Sequence, residues 1–152
     1  CFLVTTFDLE NGKQLLVINT HNSAYDDGAL KSRQMQFLKE FLINEYRKGH
    51  YLIIGGDWNQ FPPGMGKHKD QYDLDKTTAI ALGYLPENWT WAVDYNTPTN
   101  RSLETPLNEN SRKAIIDFYL VSPNIKVLET KTIDLEFKYS DHQPVRGTFV
   151  LK

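Results

Sequence analysis

The sequence predicts an α/β (α+β) chain in which a mixed sheet is covered by at least one helix. Three observations carry that prediction. Two runs rich in β-branched and aromatic residues, 2–8 and 14–20, flank Asn11-Gly12, a strong hairpin turn signal. Leu30, Met35, Leu38, Phe41, Leu42 and Tyr46 recur at the spacing of one helical face. Residues 51–56 then form a short apolar run of the kind found in strands buried on both faces.

Taken in order, the hairpin comes first, and the helix should span residues 30–48, with Gly49 placed to end it. The apolar strand 51–56 gives way at Asp57 to polar and turn-forming residues. Pro62, Pro63, Gly64 and Gly66 exclude regular structure over 61–73, whereas 74–82 is compatible with a short helix stopped by Gly83. A strand is expected at 89–93. Residues 94–113 form the longest polar stretch, expected as a loop. Strands at 114–121, 126–135 and 145–151 complete the second half. A sheet with helices on one face needs something on the other, so the pattern resembles half of a layered sandwich.

Composition narrows the functional classes. With 152 residues, 40% of them hydrophobic and 12% aromatic, the chain has enough apolar material for one domain core, which excludes disorder. Lys and Arg number 17 against 19 Asp and Glu, a net charge of −2, so there is no broad basic footprint for nucleic acid or a membrane. Lys67-His68-Lys69 is the one local basic cluster. The single cysteine, Cys1, excludes an internal disulfide. No run approaches the roughly 20 apolar residues that cross a bilayer as a helix, and the compartment is left open. The first residues read as the middle of a strand, which sets the expectation of a fragment.

Four polar groups punctuate strand ends: Asn19-Thr20-His21, Gly56-Asp57-Trp58-Asn59, Ile116-Asp117-Phe118 and Ser140-Asp141-His142. Taken alone, His21 reads as a strand-end histidine bonded to a neighbouring loop, and Asp57 with Asn59 as an Asx turn. Asp117 is different. Flanked by Ile115, Ile116, Phe118, Tyr119 and Leu120, its carboxylate should be largely buried and needs a partner, for which His142 is the candidate. Together the residues match the needs of metal-assisted phosphoester chemistry: oxygen ligands for a hard cation, an activated water and a group that manages protons. Trp58, Trp89 and Trp91 read as either aromatic substrate walls or core residues.

In this order the motifs resemble the second half of the endonuclease/exonuclease/phosphatase superfamily, which includes DNase I, apurinic/apyrimidinic endonucleases, neutral sphingomyelinases and inositol-polyphosphate phosphatases. The resemblance covers essentially the whole chain. It implies a DNase I-like four-layer α/β/β/α sandwich of which residues 1–152 are the C-terminal half of one domain. It also implies a metal-dependent phosphoester hydrolase acting by in-line attack of water. Asp57 would help activate that water and, with Asp141, hold Mg2+ or Mn2+. Asn59 would position the phosphate, Asp117 would orient His142, and His142 would contact the scissile phosphate. His21 matches the additional histidine of the DNase I and sphingomyelinase branches, and Arg101 lies in a loop that supplies substrate contacts, although it reads equally as a solvated charge.

The family's first half contributes an early Asn and a metal-binding Glu, and none of Glu10, Glu40 or Glu45 stands in a comparable motif. The expected partners are therefore a phosphoester substrate of unspecified type and the absent N-terminal half, with self-association of the fragment as a further expectation. Little activity is expected of residues 1–152 alone. The alternative from another class is a non-catalytic binding or scaffold protein that retains the fold.

Overall fold

The computed structural model describes residues 2–24, 28–65, 78–104 and 106–152. The chain order is β1 (Phe2–Asp8), β2 (Gln14–His21), α1 (Ala29–Arg47), β3 (Tyr51–Asp57), β4 (Thr90–Ala92), β5 (Asn100–Arg101), β6 (Lys113–Ala114), β7 (Asp117–Val121), β8 (Ile125–Thr132) and β9 (Val145–Leu151). Five strands form the central sheet in the order β1-β2-β3-β7-β4. Within this sheet, among the described residues, β2–β3 is the parallel pair, with α1 as its crossover, and the other pairs are antiparallel. β5 pairs with β6 and β8 with β9 as separate two-stranded units. This is the mixed, helix-covered sheet that the apolar patterning predicts.

Alternation along each strand sorts the side chains. Leu16, Ile18, Leu52, Ile54, Phe118 and Leu120 are buried on one face, where α1 contributes Met35, Leu38 and Leu42. Trp58, with no exposed surface, stacks on Phe118 at 5.5 Å between ring centroids and meets Trp91 edge-on at 5.2 Å. Trp89 packs edge-on to Tyr46. Trp58 is therefore a core residue, and Trp89 and Trp91, partly buried, pack against that core and do not line the groove that holds Asp57 and His142. Full burial of Trp58 contributes on the order of 2–3 kcal/mol.

The opposite face is covered in part. The Tyr119 and Tyr51 hydroxyls donate to Val145 O and Lys152 O, at either end of β9, and Phe149 packs edge-on to Tyr119. Leu3 and Phe7, on the β1 side of that face, remain 66% and 50% exposed.

Three element boundaries differ from expectation. Within the proposed helix 74–82, residues 74–77 lie outside the described residues, and 78–82 is not helical. There Phe61 N donates to Thr78 O and Ile80 N to Phe61 O, so a parallel bridge between Phe61 and Ala79 takes the backbone groups a helix would need. The strand expected at 114–121 is split, because Ile116 N is diverted to the Thr99 hydroxyl. The polar stretch 94–113 is not all loop: Asn100–Arg101 pairs with Lys113–Ala114.

Candidate active site

Strand register gathers the predicted residues into one row. In the parallel pair His21 lies opposite Asp57, and in the antiparallel pair Asp57 lies opposite Asp117. The ends of β2 and β3 and the start of β7 thus share one rim of the sheet. Gly56 makes the row possible. Its φ is +142°, and a Cβ there would stand 1.9 Å from Thr20 O, so only glycine lets β2 and β3 approach this closely beside Asp57.

The chain turns sharply after Asp57. Asn59 N donates to Asp57 Oδ1 at 2.8 Å, and Asn59 sits in the left-handed region at φ 48°. This is the Asx turn that the sequence offers as an alternative, and it also orients a carboxylate. The Asn59 amide donates to Asp57 Oδ2 at 3.1 Å and to Asn22 O at 2.8 Å, which uses both of its hydrogens. Between the two, Trp58 turns inward and its Nε1 donates to Phe118 O at 3.0 Å.

Asp117 finds the partner its surroundings demand. Its Oδ2 lies 2.9 Å from His142 Nδ1, and its backbone amide donates to the buried Thr99 hydroxyl at 3.0 Å. His142 Nε2 lies 3.9 Å from Asp57 Oδ2, and His21 Nε2 lies 3.6 Å from the same oxygen. The hydrogen bond that the ring donates to Asp117 raises the His142 pKa above its ordinary 6.5, with burial opposing and the charges of Asp117, Asp57 and Asp141 assisting. Burial raises the Asp57 pKa above 3.8, opposed chiefly by the Asn59 amide. Both groups thus hold their protons more tightly than usual, which favours the neutral carboxyl of Asp57 and the cationic ring of His142, and they face one another at this rim.

Asp57, Asp117 and His142 offer ligand atoms within 4.8 Å of one another, a set that could hold a metal ion. Asp117 and His142 are already bonded to each other, so Asp57 is the carboxylate whose charge a hard cation would best offset. Asp141 lines the same groove as His21, Asp57, Asn59, Arg101 and His142 but stands outside the three-residue group. Arg101 bonds its neighbour Ser102 O through Nη1, while its buried Nε has no partner among the described residues. Lys67-His68-Lys69 lies outside the described residues.

Sequence reasoning places Thr99-Asn100-Arg101 in a substrate-contact loop and singles out Arg101, but gives Asn100 no role of its own. Its Nδ2 lies 3.0 Å from His142 Nε2 and 3.2 Å from Asp141 O. The signal was an asparagine within a polar stretch. Its proximity to His142 depends on a long-range bridge that no local pattern encodes.

No family model and no curated protein matches this chain. Solved structures do. TDP2 of D. rerio, complexed with a single-strand DNA product, superposes with a TM-score of 0.65 at 15% identity, covering 98% of this chain and 61% of that one. The human Nocturnin catalytic domain with bound sulfate gives 0.59 at 18%, covering 99% and 53%. An endonuclease/exonuclease/phosphatase from Bacteroides vulgatus gives 0.62 at 17%, covering 99% and 55%. The chain spans between about half and three-fifths of the length of these structures. Its fold is that of the DNase I-like endonuclease/exonuclease/phosphatase proteins.

Proposed function

With the DNase I-like fold as premise, we propose that this chain carries part of the active site of a metal-dependent phosphoester hydrolase. The observation that supports it most is the hydrogen-bonded Asp117–His142 pair, set 3.9 Å from Asp57 at the strand ends. The ligands of the similar structures agree in chemistry: a single-strand DNA product in one, which carries tetrahedral phosphate groups, and a tetrahedral sulfate anion in another. Residues 1–152 span about half to three-fifths of those structures, and the order of their motifs supports reading them as the C-terminal half of one such domain, with the complementary half as partner.

In this reading Asp57, held by Asn59, accepts a proton from the attacking water, and its raised pKa brings it nearer to that task at neutral pH. His142 meets the scissile phosphate, with Asp117 fixing its ring and favouring its cationic form. Asn59 acts through Asp57, because a phosphate contact would require one of its two amide bonds to open. Arg101, whose buried Nε has no partner among the described residues, and His21, with its exposed ring, supply cationic or donor contacts on the groove walls. Asp57 and Asp141 would hold Mg2+ or Mn2+, which supplies charge neutralisation at the phosphate.

The test is turnover of a model phosphodiester, bis(p-nitrophenyl) phosphate, with Mg2+ by the longer protein containing this chain. His142→Ala should reduce kcat by about 100-fold or more with unchanged folding by circular dichroism. Full activity in that variant would remove the assignment, and an inactive wild type would favour a non-catalytic binding or scaffold protein.

A further inference from the structure

We propose that Asn100 is a positioning residue that pins the imidazole of His142 from the side opposite Asp117. One amide nitrogen serves two acceptors: Asn100 Nδ2 is 3.2 Å from the Asp141 carbonyl oxygen and 3.0 Å from His142 Nε2. The carbonyl can only accept, so it decides which end of the carboxamide lies at this junction. With Nδ2 there, His142 Nε2 is the acceptor and its Nδ1–H donates to Asp117 Oδ2 at 2.9 Å. The result is a directed chain from Asn100 through His142 to Asp117, with the ring tied at both nitrogens.

The tie is rigid because the backbone around it is. Asn100 and His142 form a β-bridge, Arg101 N donates to Asp141 O at 2.9 Å, and Gln143 N donates to Thr99 O at 2.8 Å. Asn100 is also paired with Ala114 in the β5–β6 unit. The same segment reaches the other member of the pair, since the buried Thr99 hydroxyl accepts from the amides of Ile116 and Asp117. Residues 99 and 100 thus clamp Asp117 and His142 from one short strand. Without Asn100 the ring would be held at Nδ1 alone and free to rotate about its Cβ–Cγ bond. Asn100 keeps Nε2 on the groove side, where, once that nitrogen takes up a proton, it can donate to a phosphate oxygen instead of accepting from the amide, while the amide stays on Asp141 O.

The spectroscopic arm of the test is independent of the proposed activity, and the kinetic arm rests on it. At a pH above the folded pKa of His142, where the ring is neutral, two-bond 1H–15N correlation spectra of the 15N-labelled chain should show His142 with a protonated Nδ1 and a hydrogen-bonded, unprotonated Nε2. In Asn100→Ala the Nε2 resonance should move toward the position of an unbonded nitrogen. In the isosteric Asn100→Asp it should move the opposite way, as the new acceptor draws a proton onto Nε2. His50, whose Nδ1 accepts from Gln14 N, should stay unchanged in both. A purely structural Asn100 would lower the melting temperature and leave the His142 resonances in place, and that result overturns the proposal. In the longer protein, with bis(p-nitrophenyl) phosphate and Mg2+, Asn100→Ala should lower kcat by about 10- to 100-fold with KM little changed. An unchanged kcat in an active enzyme would likewise overturn it. Absence of activity in the wild type would defeat the hydrolase reading and leave the spectroscopic result to decide this one.

Discussion

Asp117 shows how a single residue makes a site legible. A carboxylate in an apolar strand must find a partner, and the sequence supplies His142 beside Asp141 near a later strand start. The 2.9 Å bond between them is that partner found. It carries a pH prediction. Because the folded pKa of His142 is raised above 6.5, the native state binds that proton more tightly than the unfolded chain does. Its contribution to stability is therefore fully present below about 6.5 and is lost as pH rises through the folded value. NMR titration of the His142 ring should give a midpoint above 6.5 that falls in Asp117→Asn, and urea unfolding should show the wild-type advantage over His142→Gln shrinking across that window. A midpoint unmoved by Asp117→Asn would show that the bond does not set the charge. Asp57, also raised, acts in the same sense at lower pH, above 3.8. Asn100 was not legible in this way, since an asparagine in a polar stretch carries no unmet demand that points to a partner.

At the scale of elements, what the sequence revealed was what local forces decide. The hairpin follows from Asn11-Gly12, whose glycine adopts φ 74°, and α1 follows from a face that buries Met35, Leu38 and Leu42. The misreadings at 74–82 and 114–121 arose where tertiary bonds from Phe61 and the Thr99 hydroxyl captured backbone groups that local propensity assigned elsewhere. The β2–β3 junction has both characters. Gly55-Gly56 is visible in the sequence, while the reasons for it, the Tyr119 ring against Gly55 and the approach of Thr20 O to Gly56, are visible only in the fold. Gly56→Ala should therefore cost about 3 kcal/mol, from the clash and the positive φ together. Urea denaturation should show a clear fall in midpoint. Because the strain sits one residue before Asp57, the variant should also disturb His21 and Asp57, which share the next register position. An unchanged midpoint would mean that β2 and β3 can separate at this point without loss.

At the scale of the whole molecule, the two faces of the central sheet are unequally satisfied. One is sealed by α1 and the aromatic cluster of Trp58, Trp91 and Phe118. On the other, rows set by register place Leu3, Phe7, Leu15, Val17 and Ile53 together, with β9 lying against the β7 side and Leu3 and Phe7 open. Contiguous apolar surface of this kind favours association. The similar structures are longer than this chain, so such a face can be covered within them by segments without counterpart here. For residues 1–152 by themselves we propose that a second copy covers it, each monomer offering the same patch to the other about a two-fold axis. A stable contact of that type needs roughly 800 Å² from each partner. Sedimentation of the isolated chain should show a dimer or larger species, and the double variant Leu3→Lys, Phe7→Lys should shift it to monomer. The substitutions lie on an edge strand with their side chains directed away from α1, so the folded core should be unaffected and the change should be one of mass alone. A wild-type chain that sediments as a monomer and binds little apolar dye would show that β9 already satisfies this face.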